Sequence, residues 1–381
     1  MTRKKVVVLT NIISPYVIPR FNKVAEAEVF DFDVFFMAET ESNRLWKVYK
    51  EKIKFNYIKL KGFHFFLGRQ RPIHLNFGIT SHLLKMKYDL LVIGPYYQPA
   101  ALQALFLSKL LKTKTMLWID GSIYYKKQEN WLLKKLKRLI IRNYSSFIVS
   151  GKAAFNYIED LGGDSQRIFV APFPAEHDYF HKEFLRLRPY KQEIKTKKNY
   201  PPIVILYSGR FIPIKGVLIL LQAYAKLQRQ IKDIGLVLLG NGPEREKYES
   251  YCQTNRIDNI YFEGFVQKDG LPEFYTAADI FVLPSLSDSW GLVINEAMAF
   301  GLPVISTDAA GATYDLVKDG VNGFVISAGD ADSLYAALKR LCEEPKLRIK
   351  MGQESLKIIE NYTPEKWAKA FINAVKSMLR I

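Results

Sequence analysis

Two doubly wound α/β domains are the fold that this sequence predicts, and three observations predict it. The chain has 381 residues, more than one hydrophobic core ordinarily organises. Short apolar runs alternate with longer amphipathic segments through both halves, the pattern of parallel sheets covered by helices. A turn-rich, lysine-rich interruption at 172–200 separates the halves.

Taken in order, the first half offers strands at 5–9, 31–37, 90–94, 115–119 and 146–149. Met1-Thr-Arg-Lys-Lys followed by Val-Val-Val-Leu has the outline of a signal peptide, but the apolar run soon meets Thr10-Asn11 and reads as a first strand. Asp31-Phe32-Asp33 opens the second strand; an Asp-x-Asp metal site is the weaker reading. The apolar stretch 90–107 is broken by Pro95 and Pro99 and reads as strand, loop and helix, so no spanning helix is expected. Pro172-Phe173-Pro174 leaves the first domain, and the polar run 191–199 before Pro201-Pro202 reads as linker. The second half offers strands at 203–207, 235–239, 260–263, 280–284, 303–306 and 323–326, then helical patterns at 333–343 and 346–360. Thr363 as N-cap and Pro364 at the first position open a final helix. The expected domains are 1–190 and 191–360, with a terminal helix in 361–381.

Composition narrows the class. Hydrophobic residues make up 49% of the chain, enough to fill two interiors. Cys252 and Cys342 supply neither a disulfide framework nor metal-ligand spacing, which fits a reducing compartment such as the cytoplasm. The five histidines show no ligand spacing, and His64, His74 and His82 read as loop or surface residues. Residues 1–200 carry 35 Lys+Arg against 17 Asp+Glu, and residues 201–381 carry 20 against 21, so the whole net charge of +17 lies in the first half. Such a field favours an anionic partner. Two segments concentrate it. The run 131–142 is a basic amphipathic helix with Leu132, Leu136, Leu139 and Ile140 on one face and Lys134, Lys135, Lys137, Arg138 and Arg142 around it. It either lies on anionic lipid or covers the sheet with its charges solvated. The aromatic-basic run 62–71 reads as a loop suited to membrane contact or acceptor capture.

The chemistry-bearing motifs lie in the second half, at strand ends. Ser208-Gly209-Arg210-Phe211-Ile212-Pro213-Ile214-Lys215-Gly216 follows an apolar strand. Glycines with a planar fork and a point charge make a phosphate cradle. Asp288 and Glu296 stand eight apart, with Trp290-Gly291 opening an apolar run that reads as a short buried helix and stops at Gly301-Leu302-Pro303. Gly240-Asn241-Gly242-Pro243 and Gly264-Phe265-Val266 are further turns after strands. No Gly-x-Gly-x-x-Gly follows any strand, so a dinucleotide-dependent oxidoreductase lacks its fingerprint.

On these residues the chain resembles the retaining glycosyltransferases of family 4, whose mark is a pair of glutamates eight apart preceded by Gly-Arg and Lys-Gly. The resemblance implies the GT-B fold, two Rossmann-like domains facing a cleft with the C-terminal helix crossing back to the first. It implies no cofactor and no metal; a nucleotide-diphosphate sugar, UDP-sugar favoured, is the co-substrate. Donor contacts carry over to Gly209, Arg210, Lys215, Gly240, Asn241, Gly242, Phe265, Val266, Asp288, Ser289, Trp290, Gly291, Leu292 and Glu296. Arg210 and Lys215 would neutralise the leaving diphosphate, and Glu296 would accept the ribose hydroxyls. Asp288 stands where the family has a glutamate against the donor sugar, and Asp120-Gly121 where many relatives have His-Gly. Asp120 would orient the acceptor hydroxyl or a sugar, unless it is a turn or cap residue. Asn11, Ser14 and Pro15 match an acceptor-side loop. The expected enzyme is therefore a retaining, metal-independent hexosyltransferase acting on a saccharide or lipid-linked acceptor in cell-surface polysaccharide biosynthesis. It would be cytoplasmic, peripheral to an anionic inner membrane face, and without a nucleic-acid partner. A sugar-nucleotide epimerase of the same fold and a degenerate member acting as a binding partner are the alternatives.

Overall fold

The computed structural model describes residues 3–41, 44–67, 71–120 and 130–381. The chain forms two compact units: one runs to Phe173 and takes back Pro364–Ile381, and the other is Pro174–Thr363.

The first unit is built on β1 (Lys5–Ile12), β2 (Asp31–Ala38), β3 (Asn56–Lys59), β4 (Gly62–Leu67), β5 (Arg71–Asn76), β6 (Leu90–Ile93), β7 (Lys114–Ile119), β8 (Ser146–Val149) and β9 (Ile168–Val170). Seven of these form one parallel sheet in the order β3-β2-β1-β6-β7-β8-β9. Central strands of such a sheet are covered on both faces, which explains why Val6 to Leu9 and Leu90 to Ile93 are unbroken apolar runs with almost no exposure. The helices Val17–Glu26 and Pro364–Leu379 pack on one face, through Phe21, Trp367 and Phe371. The other face takes the helices Ile79–Met86, Pro99–Leu110 and Lys152–Asp160.

Two expectations change here, and one strand is new. β1 extends past Thr10 and Asn11 to Ile12, because its partner β2 continues to Ala38 and pairs with it residue for residue. The run 62–71 is not a loop: β4 pairs with β5 as an antiparallel hairpin in which Phe63 faces Leu75 and Phe65 faces Ile73. Gly68, Arg69 and Gln70 lie outside the described residues. β3 is an edge strand exposed at all four positions, and without an apolar face it left no periodic signal.

The second unit carries β10 (Ile203–Ser208), β11 (Ile234–Leu239), β12 (Ile260–Gly264), β13 (Ile280–Leu283), β14 (Val304–Thr307) and β15 (Gly323–Ile326) in the parallel order β12-β11-β10-β13-β14-β15. The predicted helical patterns appear as Ala331–Glu343 and Pro345–Ile359, the first capped by the Asp330 carboxylate on two backbone N–H groups. The run 191–199 read as linker is instead the helix Lys191–Lys197, preceded by His177–Leu187. Lys195 is buried on it and donates to Asp279 at 2.5 Å and to the Pro202 carbonyl. A lysine-rich segment looked solvated only because its carboxylate partner lies 84 positions away.

Candidate functional site

In the second unit the chain winds from β10 out to β12 and then returns to place β13 on the other side of β10. At that reversal the loops leaving adjacent strands part, which makes the carboxyl ends of β10 and β13 the natural ligand crevice of such a sheet. The loop after β10 carries Gly209, Arg210 and Lys215; the loop after β13 carries Asp288 to Leu292. Leu286 N–H donates to the Ile214 carbonyl at 2.8 Å and ties the two loops together. Gly216 closes the first loop at φ +68°, and a Cβ there would fall 2.0 Å from the Pro284 carbonyl oxygen, so only glycine fits. Across the crevice Lys215 Nζ is ion-paired with the Asp288 carboxylate, both side chains being largely buried. The two groups expected to hold different parts of a ligand are thus partners of each other.

The neighbouring loops are stitched to this one by backbone. Gly209 N–H donates to the Leu239 carbonyl at 2.9 Å and Phe211 N–H to the Asn241 carbonyl at 2.9 Å. Gly240 N–H donates to the Gly264 carbonyl at 2.7 Å. Gly240 lies so close to Gly209 that a Cβ on it would sit 1.8 Å from the Gly209 carbonyl oxygen. Gly242 packs in the same manner on Phe211. Phe265, just after β12, is exposed and Val266 is half-buried beside it. Below the loops the fully buried Tyr207 donates to the Arg210 carbonyl at 3.1 Å. Burial, and then the charges of Tyr248 and Asp288, push its phenol well above the ordinary range, with Arg210 opposing them. Tyr207 therefore stays a neutral donor that fixes the backbone at Arg210.

Asp288 and Trp290 are locked to the loop after β14. Asp288 N–H donates to the Ala309 carbonyl at 2.9 Å, Gly311 N–H to the Asp288 carbonyl at 3.1 Å, and Ala312 N–H to the Trp290 carbonyl at 2.8 Å. Trp290 is buried, with its indole N–H on Asn295 Oδ1 at 2.9 Å, whereas Ser289 is exposed and Leu292 half-buried. The buried helix Val293–Ala299 follows and ends at Gly301, which has φ +66°. Glu296 on that helix is 1% exposed, and its Oε2 accepts the Tyr275 hydroxyl at 2.7 Å. It is a supported carboxylate on the short buried helix that the sequence suggested.

In the first unit, Asp120 follows β7 and is held from two sides. Arg20 Nη1 donates to Oδ1 at 3.0 Å, Arg20 Nη2 to Oδ2 at 2.5 Å, and Trp118 Nε1 to Oδ1 at 2.6 Å. Arg20 is 2% exposed. Its guanidinium lies 4.6 to 4.9 Å from the ring centres of Trp118, Phe173 and Trp367, close enough for cation–π attraction in a dry setting. A free cap or turn aspartate does not need such a clamp. Gly121 lies outside the described residues. Sequence reading missed Arg20, although its place on the stripe Val17, Phe21, Val24 marked a charge aimed at the core.

Of the three residues assigned to the acceptor-side loop, Asn11 is within β1, while Ser14 and Pro15 follow its end at Ile12. Its amide reaches Glu41 Oε1 at 3.4 Å. Glu41 also contacts Arg44 and His74, and His74 Nδ1 lies 3.1 Å from His64 Nδ1. His74, expected at the surface, is 1% exposed, because the unforeseen hairpin folds it inward. Burial tends to raise the Glu41 carboxyl, but His74 and Arg44 together hold it below the ordinary range. Burial, then the charges of His74 and Lys59, push His64 down.

With this geometry in place, comparison with known proteins is direct. Residues 190–357 match the family model for glycosyl transferases, group 1. The alpha-D-kanosaminyltransferase of Streptomyces kanamyceticus is 27% identical over 290 residues, 74% of this chain and 72% of that protein. The lipopolysaccharide core biosynthesis glycosyltransferase LpsE of Rhizobium meliloti is 30% identical over 191 residues, 49% of this chain and only 53% of its own length. Among solved structures, Anabaena HepE in complex with UDP superposes with a TM-score of 0.76 at 18% identity, over 98% of this chain and 100% of that one. The sucrose-phosphate synthase of Thermosynechococcus elongatus gives 0.76 at 17% identity, over 99% and 100%. Residues 190–357 thus match the group 1 glycosyl transferases, and both sheets, the strand reversal and the superpositions give the chain the two-sheet α/β fold of GT-B glycosyltransferases.

Proposed function

We propose that this protein transfers a hexose-type sugar, with retention and without a metal, from a nucleotide-diphosphate donor to a saccharide or lipid-linked acceptor. The observation that carries the reading is the Lys215–Asp288 pair at the switch point, beside Arg210 and the stitched glycine loops. A diphosphate entering that crevice offers Lys215 a better-charged partner than Asp288, and Arg210 supplies a planar fork for two more oxygens. Asp288, released from the lysine, is then left to accept hydroxyls of the donor sugar. Glu296, fixed by Tyr275, serves the ribose, while Phe265 and Val266 flank the base. The N–H groups from Ser289 to Leu292 line the approach to the sugar and its phosphate.

In the reaction the bond between the sugar C1 and the diphosphate oxygen breaks as the acceptor oxygen bonds to C1 on the same face. The acceptor proton passes to the departing phosphate oxygen. Arg210 and Lys215 neutralise the charge that grows there, the step at which fixed cations contribute most. Asp120, clamped by Arg20 and Trp118, is the acceptor-side carboxylate, with Asn11, Ser14 and Pro15 nearby in role. Retention and the absence of metal are supported by the family resemblance. UDP as carrier is supported by Anabaena HepE, which was solved with UDP and with UDP-glucose. LpsE and the basic first half support cell-surface polysaccharide assembly at the cytoplasmic face of a membrane. The test is donor turnover by Lys215→Ala and Glu296→Ala, each expected to fall by about 100-fold, with no loss on adding a chelator. Unchanged turnover in both variants would sink the site assignment.

A further inference from the structure

We propose that Glu41 is a positioning residue for Asn11, and that one proton shared by His64 and His74 sets how firmly it holds that amide. The inference rests on the acceptor-side role suggested above for Asn11 and names what governs it. His64 on β4 and His74 on β5 are direct cross-strand partners, with ring centres 5.1 Å apart and Nδ1 atoms at 3.1 Å. His64 is exposed, whereas His74 and Glu41 are 1% and 4% exposed. The buried Gln98 pins β5 at this point. Its Oε1 accepts the His74 N–H at 3.0 Å, and its Nε2 donates to the Pro72 carbonyl at 2.9 Å. A chain of contacts thus runs from the surface through two imidazoles to a buried carboxylate, and from there to Asn11.

The chain divides at Glu41. Its Oε1 faces both His74 Nε2 and the Asn11 amide at 3.4 Å, while Oε2 faces Arg44 Nε at 3.4 Å. All three contacts are long, so a change of charge on one partner shifts the balance among them. A carboxylate only accepts, so His74 Nε2 carries a hydrogen. Neutral His74 then accepts at Nδ1 from the Nδ1–H of His64. A proton taken up at His64 Nε2 lets the Nδ1 proton cross to His74. That leaves His64 neutral, with its hydrogen on Nε2, and His74 doubly protonated against Glu41. Two Nδ1–H groups cannot face each other at this distance, so the pair holds one extra proton. Burial, then the charges of His74 and Lys59, disfavour keeping it on His64; Lys59 itself lies 3.6 Å from Glu39. Charged His74 draws Oε1 to itself and loosens the Asn11 amide. Neutral His74 shares the oxygen with it.

Nitrogen NMR of the full chain, following the imidazoles and the Asn11 side-chain amide from about pH 5 to pH 8, tests this beside UDP release from UDP-glucose. In wild type the Asn11 signal should move with the histidine pair, and UDP release should fall about threefold as the pair charges. Glu41→Gln, whose amide oxygen still accepts from Asn11, should leave the Asn11 signal stationary while the histidines titrate. His64→Phe, at an exposed position, should carry both responses to lower pH, because His74 loses the group that shares its proton. A stationary Asn11 signal in wild type overturns the proposal, as do unchanged midpoints in His64→Phe. Asn11→Ala tests the acceptor-side reading separately. Unchanged UDP release with normal histidine titration sinks that reading and the positioning role with it, whereas a lower rate that no longer follows pH supports both.

Discussion

At the ends of β10, β11 and β12 the chain is held by its own backbone: Gly209 on Leu239, Phe211 on Asn241, Gly240 on Gly264. At the ends of β1 and β7 backbone bonds such as Ile13 on Glu39 and Ser150 on Ile119 are joined by side-chain ties, some from distant positions: Arg20 and Trp118 on Asp120, and His74, Arg44 and Asn11 on Glu41. Both sheets place their first four parallel strands in the same spatial order, so topology does not cause the difference. On the proposed function, what differs is what each sheet end must do. A loop that cradles a diphosphate by N–H groups needs close backbone approach and hence glycine. A loop that aims a single carboxylate needs a rigid counter-charge and tolerates almost any backbone.

Variants can break this contrast. The largest effect is expected at Arg20: Arg20→Met leaves the Asp120 carboxylate unpaired and empties the space among Trp118, Phe173 and Trp367, costing about 3–5 kcal/mol in denaturant unfolding. Asp120→Asn should cost less, because its amide oxygen still accepts from Arg20 Nη1 and Trp118, only the Arg20 Nη2 bond is lost, and the space among the rings stays filled. If the two were equal, the clamp would be no more than a surface pair. Next comes Gly240→Ala, expected to cost about 2–3 kcal/mol because the added methyl meets the Gly209 carbonyl. Its loss should appear in the second unit by hydrogen exchange, leaving the first unit's protection unchanged. The smallest effect is a pH dependence at Glu41. Its folded carboxyl lies below the ordinary value, so its stabilisation is present above about pH 4.5 and is lost as pH falls through the lowered folded value. Wild type should therefore lose thermal stability in acid more steeply than Glu41→Gln. Parallel curves would show that Glu41 carries no net charge–charge stabilisation.

The same contrast explains what could be read from the sequence. Backbone-stitched loops leave a written trace: Gly216, Gly240 and Gly242 stand after strands because a Cβ there would meet backbone, and the strands of the second half were legible almost to the residue. The eleven strands anticipated fall within a few residues of their observed limits. Side-chain networks leave little trace, since Arg20 and Asp120 are 100 positions apart and Lys195 and Asp279 are 84 apart. The exposed β3, the hairpin β4–β5 and the buried His74 escaped for a related reason: short strands with aromatic and basic residues on both faces carry no clean alternation. The helix Trp131–Ile141 leaves Leu132, Leu136 and Leu139 more than half exposed, which was not legible either, because an amphipathic pattern says which residues share a face and not which face is turned inward.

The central claim is that the Lys215–Asp288 pair is a resting arrangement that a nucleotide diphosphate opens. Calorimetric titration of UDP and of UDP-glucose into wild type, Lys215→Met and Asp288→Asn tests it most directly. The account predicts that Lys215→Met weakens UDP binding by about tenfold or more. Asp288→Asn should bind UDP at least as tightly as wild type, because the lysine no longer has to leave a carboxylate, and should lose the added affinity for the glucose-bearing donor. UDP binding to Lys215→Met at wild-type strength would contradict it, and would make the pair a structural bridge instead.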